Sequence, residues 1–111
     1  MIAKELIWVG SSKADLRAMP ATARHELGVD LRLVQSGEIP RDWKPMSSVG
    51  AGVVEIRVRT IDGAFRVLYV AKFSEGMYVL HAFQKKSQKT ARFDLELARS
   101  RYAAVVRSRG R

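Results

Sequence analysis

The hydrophobic period changes from helical to alternating near residue 52, and that change constrains the fold more than any other feature. From Ala21 to Val34 apolar residues recur at helical spacing; from Val53 to Arg59 they alternate. Ala23, Leu27, Leu31 and Val34 share one face of a helix expected over Ala21 to Val34, and Ser36-Gly37 ends it. In Val53 to Arg59, Val54, Ile56 and Val58 fall on one face of a strand, with Glu55, Arg57 and Arg59 on the other. A helical first half joined to an alternating second half predicts an α+β fold.

Residues 4–9 (KELIWV) predict a first strand closed by Gly10. Ser11 and Ser12 offer N-cap oxygens to a helix from Lys13, which Pro20 interrupts. The two helices then form a hairpin that lies on one face of a sheet. Turn chemistry from Lys44 to Gly52 predicts a loop. Asp62-Gly63 turns the first meander strand into a second, Ala64 to Lys72, and Ser74-Glu75-Gly76 leads to a third, Met77 to Phe83. Gln84 to Thr90 is a polar connection to a last helix, from about Ala91 to Val106, with Leu95, Ala98, Tyr102, Val105 and Val106 as its apolar stripe. The expectation is one domain over 1–111: an N-terminal helical hairpin packed on a curved antiparallel sheet, a C-terminal helix, and a polar sheet face left open.

At 111 residues with 47% hydrophobic content, the chain can bury one core and is too apolar for a disordered basic tail. It has no cysteine, which removes disulfides, thiolate metal sites and cysteine nucleophiles. His25 and His81 lack zinc-ligand spacing. No apolar run is long enough to span a membrane and no leader-like segment opens the chain, so a cytoplasmic protein is expected. No metal or small-molecule cofactor is expected, since phosphate-cradling glycine loops, dinucleotide fingerprints and paired carboxylates are missing.

The net charge is +9 and unevenly spread: residues 1–52 and 53–80 carry +1 each, and residues 81–111 carry +7. Concentrated positive charge suggests a surface directed at a polyanion; a solubilising helix face would look the same. On the expected sheet Arg57 and Arg59 share the non-core face, and Arg66 joins them if its strand pairs across Asp62-Gly63. Forked guanidiniums on a rigid sheet suit phosphate oxygens, although Arg57 and Arg59 can equally solvate an exposed face beside Glu55 or Asp62. The segment His81 to Thr90 adds Lys85, Lys86 and Lys89, the imidazole of His81 and the amide of Gln84; Phe83 is a base-stacking surface or, more simply, core. These groups meet the needs of metal-free RNA cleavage, a proton acceptor for a 2′-OH, a donor for the leaving oxygen and cations for the phosphorane. They also meet the needs of RNA binding without cleavage.

Several motifs follow one another in order: Glu55-Ile56-Arg57, then Phe65-Arg66-Val67-Leu68-Tyr69, then Leu80-His81-Ala82-Phe83-Gln84-Lys85-Lys86, then Thr90 through Ala98. This succession, over about residues 43–100, resembles the phage-related, HigB-like branch of the RelE/ParE toxin superfamily. The resemblance implies the toxin of a type II toxin–antitoxin pair: a ribosome-dependent mRNA endoribonuclease, neutralised by a cognate antitoxin, often a helix-turn-helix protein. It implies Arg66 near the scissile phosphate, Arg57 as the arginine of the first motif, and Lys85 and Lys86 as active-site cations. His81 joins these as a catalytic candidate, and Arg59, Gln84, Lys89 and Arg92 as further RNA contacts. Many ribosome-dependent members carry a C-terminal tyrosine or histidine in the site. Here the chain ends AAVVRSRGR and Tyr102 falls on the apolar stripe, so the general base is open among His81, Lys85 and Glu55. The superfamily also contains toxins of DNA gyrase, and a non-catalytic basic module is the remaining alternative. Arg66→Ala is expected to leave the fold intact, its side chain facing away from the core.

Overall fold

The alternating half of the chain forms the centre of the molecule. The computed structural model describes residues 3–110, in the order β1 (Leu6–Trp8), α1 (Ser12–Arg17), α2 (Ala21–Gln35), β2 (Trp43–Pro45), β3 (Val53–Thr60), β4 (Gly63–Val70), β5 (Met77–Lys85) and α3 (Arg92–Arg109). Strands β3, β4 and β5 make the expected antiparallel meander. At its first turn Thr60 pairs with Gly63, whose φ of +128° is a conformation that favours glycine.

Two short strands complete a five-stranded sheet of order β1-β5-β4-β3-β2. β2 pairs antiparallel with β3 where a loop was expected. Three residues ending in a proline are what an edge strand tolerates, and they leave almost no sequence signal. β1 is shorter than the expected 4–9 and joins β5 in parallel, Leu6 beside Met77, so the sheet is mixed. A parallel neighbour needs a long crossover, and the intervening helices and meander supply it.

The two faces bury different helices. Ile56, Val58, Phe65, Val67 and Val79 meet Leu16 of α1 and Ala23, Leu27 and Leu31 of α2. Val53, Leu68, Val70, Leu80 and Phe83 meet Ala98 and Val105 of α3 on the opposite face. The expectation of helices on one face with the other open is therefore corrected: α3 covers one end of the second face. The cause is the unbroken apolar run from Val67 to Val70. A strand buried on both sides reads as continuous rather than alternating, and these residues are buried without exception.

Local ties fix the helices. Neither serine caps α1 with its side chain. Ser11 Oγ donates to Asp15 Oδ2 at 2.7 Å, and buried Ser12 Oγ donates to the carbonyl of Val79 at 3.1 Å, binding α1 to β5. On α3, the Tyr102 hydroxyl donates to the carbonyl of Ala51 at 2.9 Å. Its ring lies against Gly50, where an added Cβ would stand 2.4 Å from a ring carbon, so only glycine admits this approach. Asp30, buried in α2, accepts from the Arg41 backbone N–H and from Arg41 Nε, both at 3.0 Å. The carboxylate bond raises the Arg41 pKa against some desolvation, and the clip holds the segment leading into β2. No helix among the described residues is long and apolar enough to cross a membrane.

Candidate nucleic-acid interface

Strand register decides which polar side chains meet. Directly opposed residues share a face, and the pairing sets Arg57 beside Arg66 and Arg66 beside Phe83. The next row sets Lys44 beside Glu55, Glu55 beside Leu68 and Leu68 beside His81. A third sets Arg59 beside Ala64 and Ala64 beside Lys85. All of these lie on the α3 face of the sheet.

Lys85 reaches that face because of an irregularity in β5. Tyr69 pairs with Val79 but Leu68 pairs with His81, so Leu80 is an extra residue, a β-bulge. Strict alternation from Val79 would send residues 81, 83 and 85 to the α1–α2 face. One inserted residue flips them all. Phe83 accordingly packs in the α3 cluster while Val79 and Ala82 pack in the other.

Two arginines directly opposed across a strand pair repel. Glu55 offsets this, its Oε1 lying 3.5 Å from Arg57 Nε and 3.6 Å from Arg66 Nε. Arg66 Nη1 donates to the carbonyl of Phe65 at 3.1 Å. The contacts leave capacity unused: Arg66 Nε and Glu55 Oε2 are buried with no hydrogen-bond partner among the described residues. Unsatisfied buried polar atoms call for an explanation, a bound water, an ion or a catalytic role, and here two of them belong to neighbouring side chains; a third is Nδ1 of His81. Burial lowers the Arg66 pKa, Glu55 opposes that effect, and Arg57 and Arg59 add to it; a guanidinium remains cationic throughout.

An open basin of about 650 Å³ lies over this corner, lined by Arg57, Arg59, Arg66, Lys85, Lys86 and Gln88. A second cavity of about 360 Å³ adjoins it, sharing Arg57, Lys85 and Gln88 and reaching Lys44, Glu55 and Lys89. One carboxylate among so many cations is a donor set for anions, not for a metal ion.

The expected residues thus separate into two groups. Arg57, Arg59, Arg66, Lys85 and Lys86 surround one basin, and Lys89 borders the neighbouring cavity. Arg66 is not the water-facing residue expected, being only 6% exposed; it lies in β4 between Arg57 and Phe83, beside Glu55, and still borders the basin. His81 lies elsewhere. It is 4% exposed, and its Nε2 donates to Asp94 Oδ1 of α3 at 2.7 Å. Its ring stacks on Phe83 with centroids 4.8 Å apart, and both rings border a separate groove beside β5. Phe83 is buried, the core alternative for that ring. Gln84 Nε2 donates to the carbonyl of Asp62, bracing the β3–β4 turn. Arg92 pairs with Glu96 at 2.8 Å on the outer side of α3 and lines neither cavity. Sequence reasoning missed Lys44, because a strand as short as β2 carries no readable alternation.

A helical hairpin, a five-stranded sheet and a C-terminal helix, in this order, have the arrangement of a RelE-like fold. The chain belongs to the phage-derived Gp49-like family (DUF891), whose model matches residues 14–103, and that family is part of the RelE/HigB-type toxin group. No curated protein matches the chain.

Proposed function

We propose that this chain is the toxin of a type II toxin–antitoxin pair, acting as one domain, and that it cuts mRNA on the ribosome without a cofactor. The observation that carries the reading is the meeting of Arg57, Arg59, Arg66, Lys85 and Lys86 around one basin, with the unsaturated Glu55 carboxylate between two of the arginines.

The chemistry follows from those positions. A phosphodiester lies against Arg57 and Lys85. Glu55 accepts the proton of the ribose 2′-OH, and the 2′-oxygen forms a bond to the adjacent phosphorus. The crowded, doubly charged phosphorane is stabilised by the forked donors of Arg57 and Arg66, fixed before the reaction by the sheet. The bond from phosphorus to the 5′-oxygen then breaks, and Lys85 or Lys86 supplies the proton to the leaving oxygen. The products are a 2′,3′-cyclic phosphate and a 5′-hydroxyl. His81, held by Asp94 and buried against Phe83, takes no part in these steps.

The partners in this reading are translated mRNA and a cognate antitoxin, a helix-turn-helix protein, in the cytoplasm where ribosomes work. Induced expression with mapping of cellular mRNA 5′ ends tests it. Cuts inside translated codons, lost when Arg57 and Lys85 are both replaced by alanine, are expected. DNA damage without RNA cuts would move the target to gyrase, and absence of any growth effect would leave a binding module.

A further inference from the structure

The proposed cleavage uses Glu55, Arg57 and Lys85 and leaves the rest of the smaller cavity's lining without a role. Its volume of about 360 Å³ falls within the roughly 300–1,000 Å³ of pockets that enclose small organic ligands. Its lining is of mixed chemistry: Met46 and Leu95 are apolar, Ser48 and Thr90 carry hydroxyls, and Lys44 and Lys89 are cations. Glu55 also lines this cavity and not the larger basin, and its Oε2 is buried without a partner.

We infer that this cavity is a nucleoside site, which takes the nucleotide on the 5′ side of the cut and sets the enzyme's base preference there. The inference rests on the ribonuclease reading and names the substrate position within it. Arg57, Lys85 and Gln88 belong to the walls of both cavities, so a phosphate seated on them has one nucleoside on each side. The attacking 2′-oxygen belongs to the 5′ nucleoside and must face the proton acceptor. Only the smaller cavity contains that acceptor. The 5′ nucleoside therefore occupies it, and the 3′ nucleoside lies in the larger basin with Arg59 and Lys86. In the smaller cavity Met46 and Leu95 offer contact to the flat of the base. Ser48, Thr90 and the amide of Gln88 offer donors and acceptors to its edge, the kind of reading used for unstacked bases.

The test compares purified wild-type protein with Ser48→Phe and Thr90→Val on ribosomes programmed with a randomised-codon mRNA, sequencing all fragment ends. Ser48 is exposed, so a bulky ring there narrows the cavity without entering the core, and Thr90→Val removes one hydroxyl at nearly constant shape. The expected result is a base distribution altered at least 3-fold at the nucleotide 5′ of the cut, with that on the 3′ side unchanged. Cutting by both variants with wild-type preference at the 5′ nucleotide, or with equal change on both sides, overturns the site while leaving the ribonuclease reading intact. Absence of cuts by the wild-type protein overturns both. Should Ser48→Phe fail to fold, Thr90→Val alone decides.

Discussion

Glu55 holds Arg57 and Arg66 at 3.5 and 3.6 Å, too long for saturated hydrogen bonds, and keeps one oxygen free. A purely structural carboxylate would be expected to close those contacts. Glu55→Gln keeps the shape and removes the proton acceptor. It is expected to lower cleavage by roughly 10²- to 10⁴-fold while RNA binding, measured by filter retention, stays within a few fold. Equal loss of both would make Glu55 a positioning residue only. Arg66→Ala removes a nearly buried side chain beside that carboxylate, so it is expected to abolish cleavage and also cost about 1–3 kcal/mol of stability, read by urea unfolding. The shared face of Arg57 and Arg59 was legible in the sequence because apolar and polar residues alternate from Val54 to Arg59 in β3. The burial of Arg66 was not, because it depends on neighbours brought in by other strands, Glu55 and Arg57 of β3 and Phe83 of β5. His81 misled for a related reason: its partner Asp94 lies on another element.

Among the elements, β5 matters most, since its one-residue bulge brings Lys85 to the side of the arginines. Sequence could not reveal it, for a bulge is set by tertiary pairing and Leu80-His81 contains none of the glycine that marks some bulges. The meander, α2 and the last helix were legible because each is long enough for its period to show, and the six-residue α1 because serines and Pro20 bound it. α3, whose Leu95 borders the smaller cavity, is clasped at its far end, where Arg109 donates to Glu75, and Tyr78 donates to the same carboxylate at 2.8 Å. The Arg109 bond is the main reason the Glu75 pKa falls from 4.5 to about 2. A depressed carboxylate contributes stability that is complete above its unfolded pKa and is lost as pH falls through the folded one. The clasp should therefore be intact above about pH 4.5 and lost toward pH 2. Thermal melts of wild type and Glu75→Gln are expected to differ most at neutral pH and to converge across that interval. A constant difference would show that the clasp adds nothing to stability.

For the whole molecule, the concentration of +7 in residues 81–111 pointed to a polyanion surface, but the structure divides those cations by position. Arg99 and Arg101 donate to the carbonyls of Ser48 and Leu80, and Arg109 to Glu75, so they fasten α3. Lys85, Lys86 and Lys89 surround the cavities together with arginines from β3 and β4. Net charge by segment could not separate fastening from binding, since that depends on which carbonyls and carboxylates lie within reach. If three to five phosphates are neutralised, log K for single-stranded RNA should fall against log salt with a slope of about −2 to −3.5. A slope beyond about −6 would mean that the α3 arginines bind RNA as well.

If cations from three strands meet around Glu55 so that this carboxylate can take the 2′-OH proton, the chemical form of the cut end records it. Purified protein should be incubated with ribosomes translating a defined mRNA, and the 3′ end of the upstream fragment identified by mass spectrometry. A 2′,3′-cyclic phosphate is expected, reduced by roughly 10²- to 10⁴-fold when Glu55 is replaced by Gln and absent when the mRNA carries 2′-deoxyribose at the cut position. A 3′-hydroxyl end, or continued cutting of the 2′-deoxy position, would contradict it.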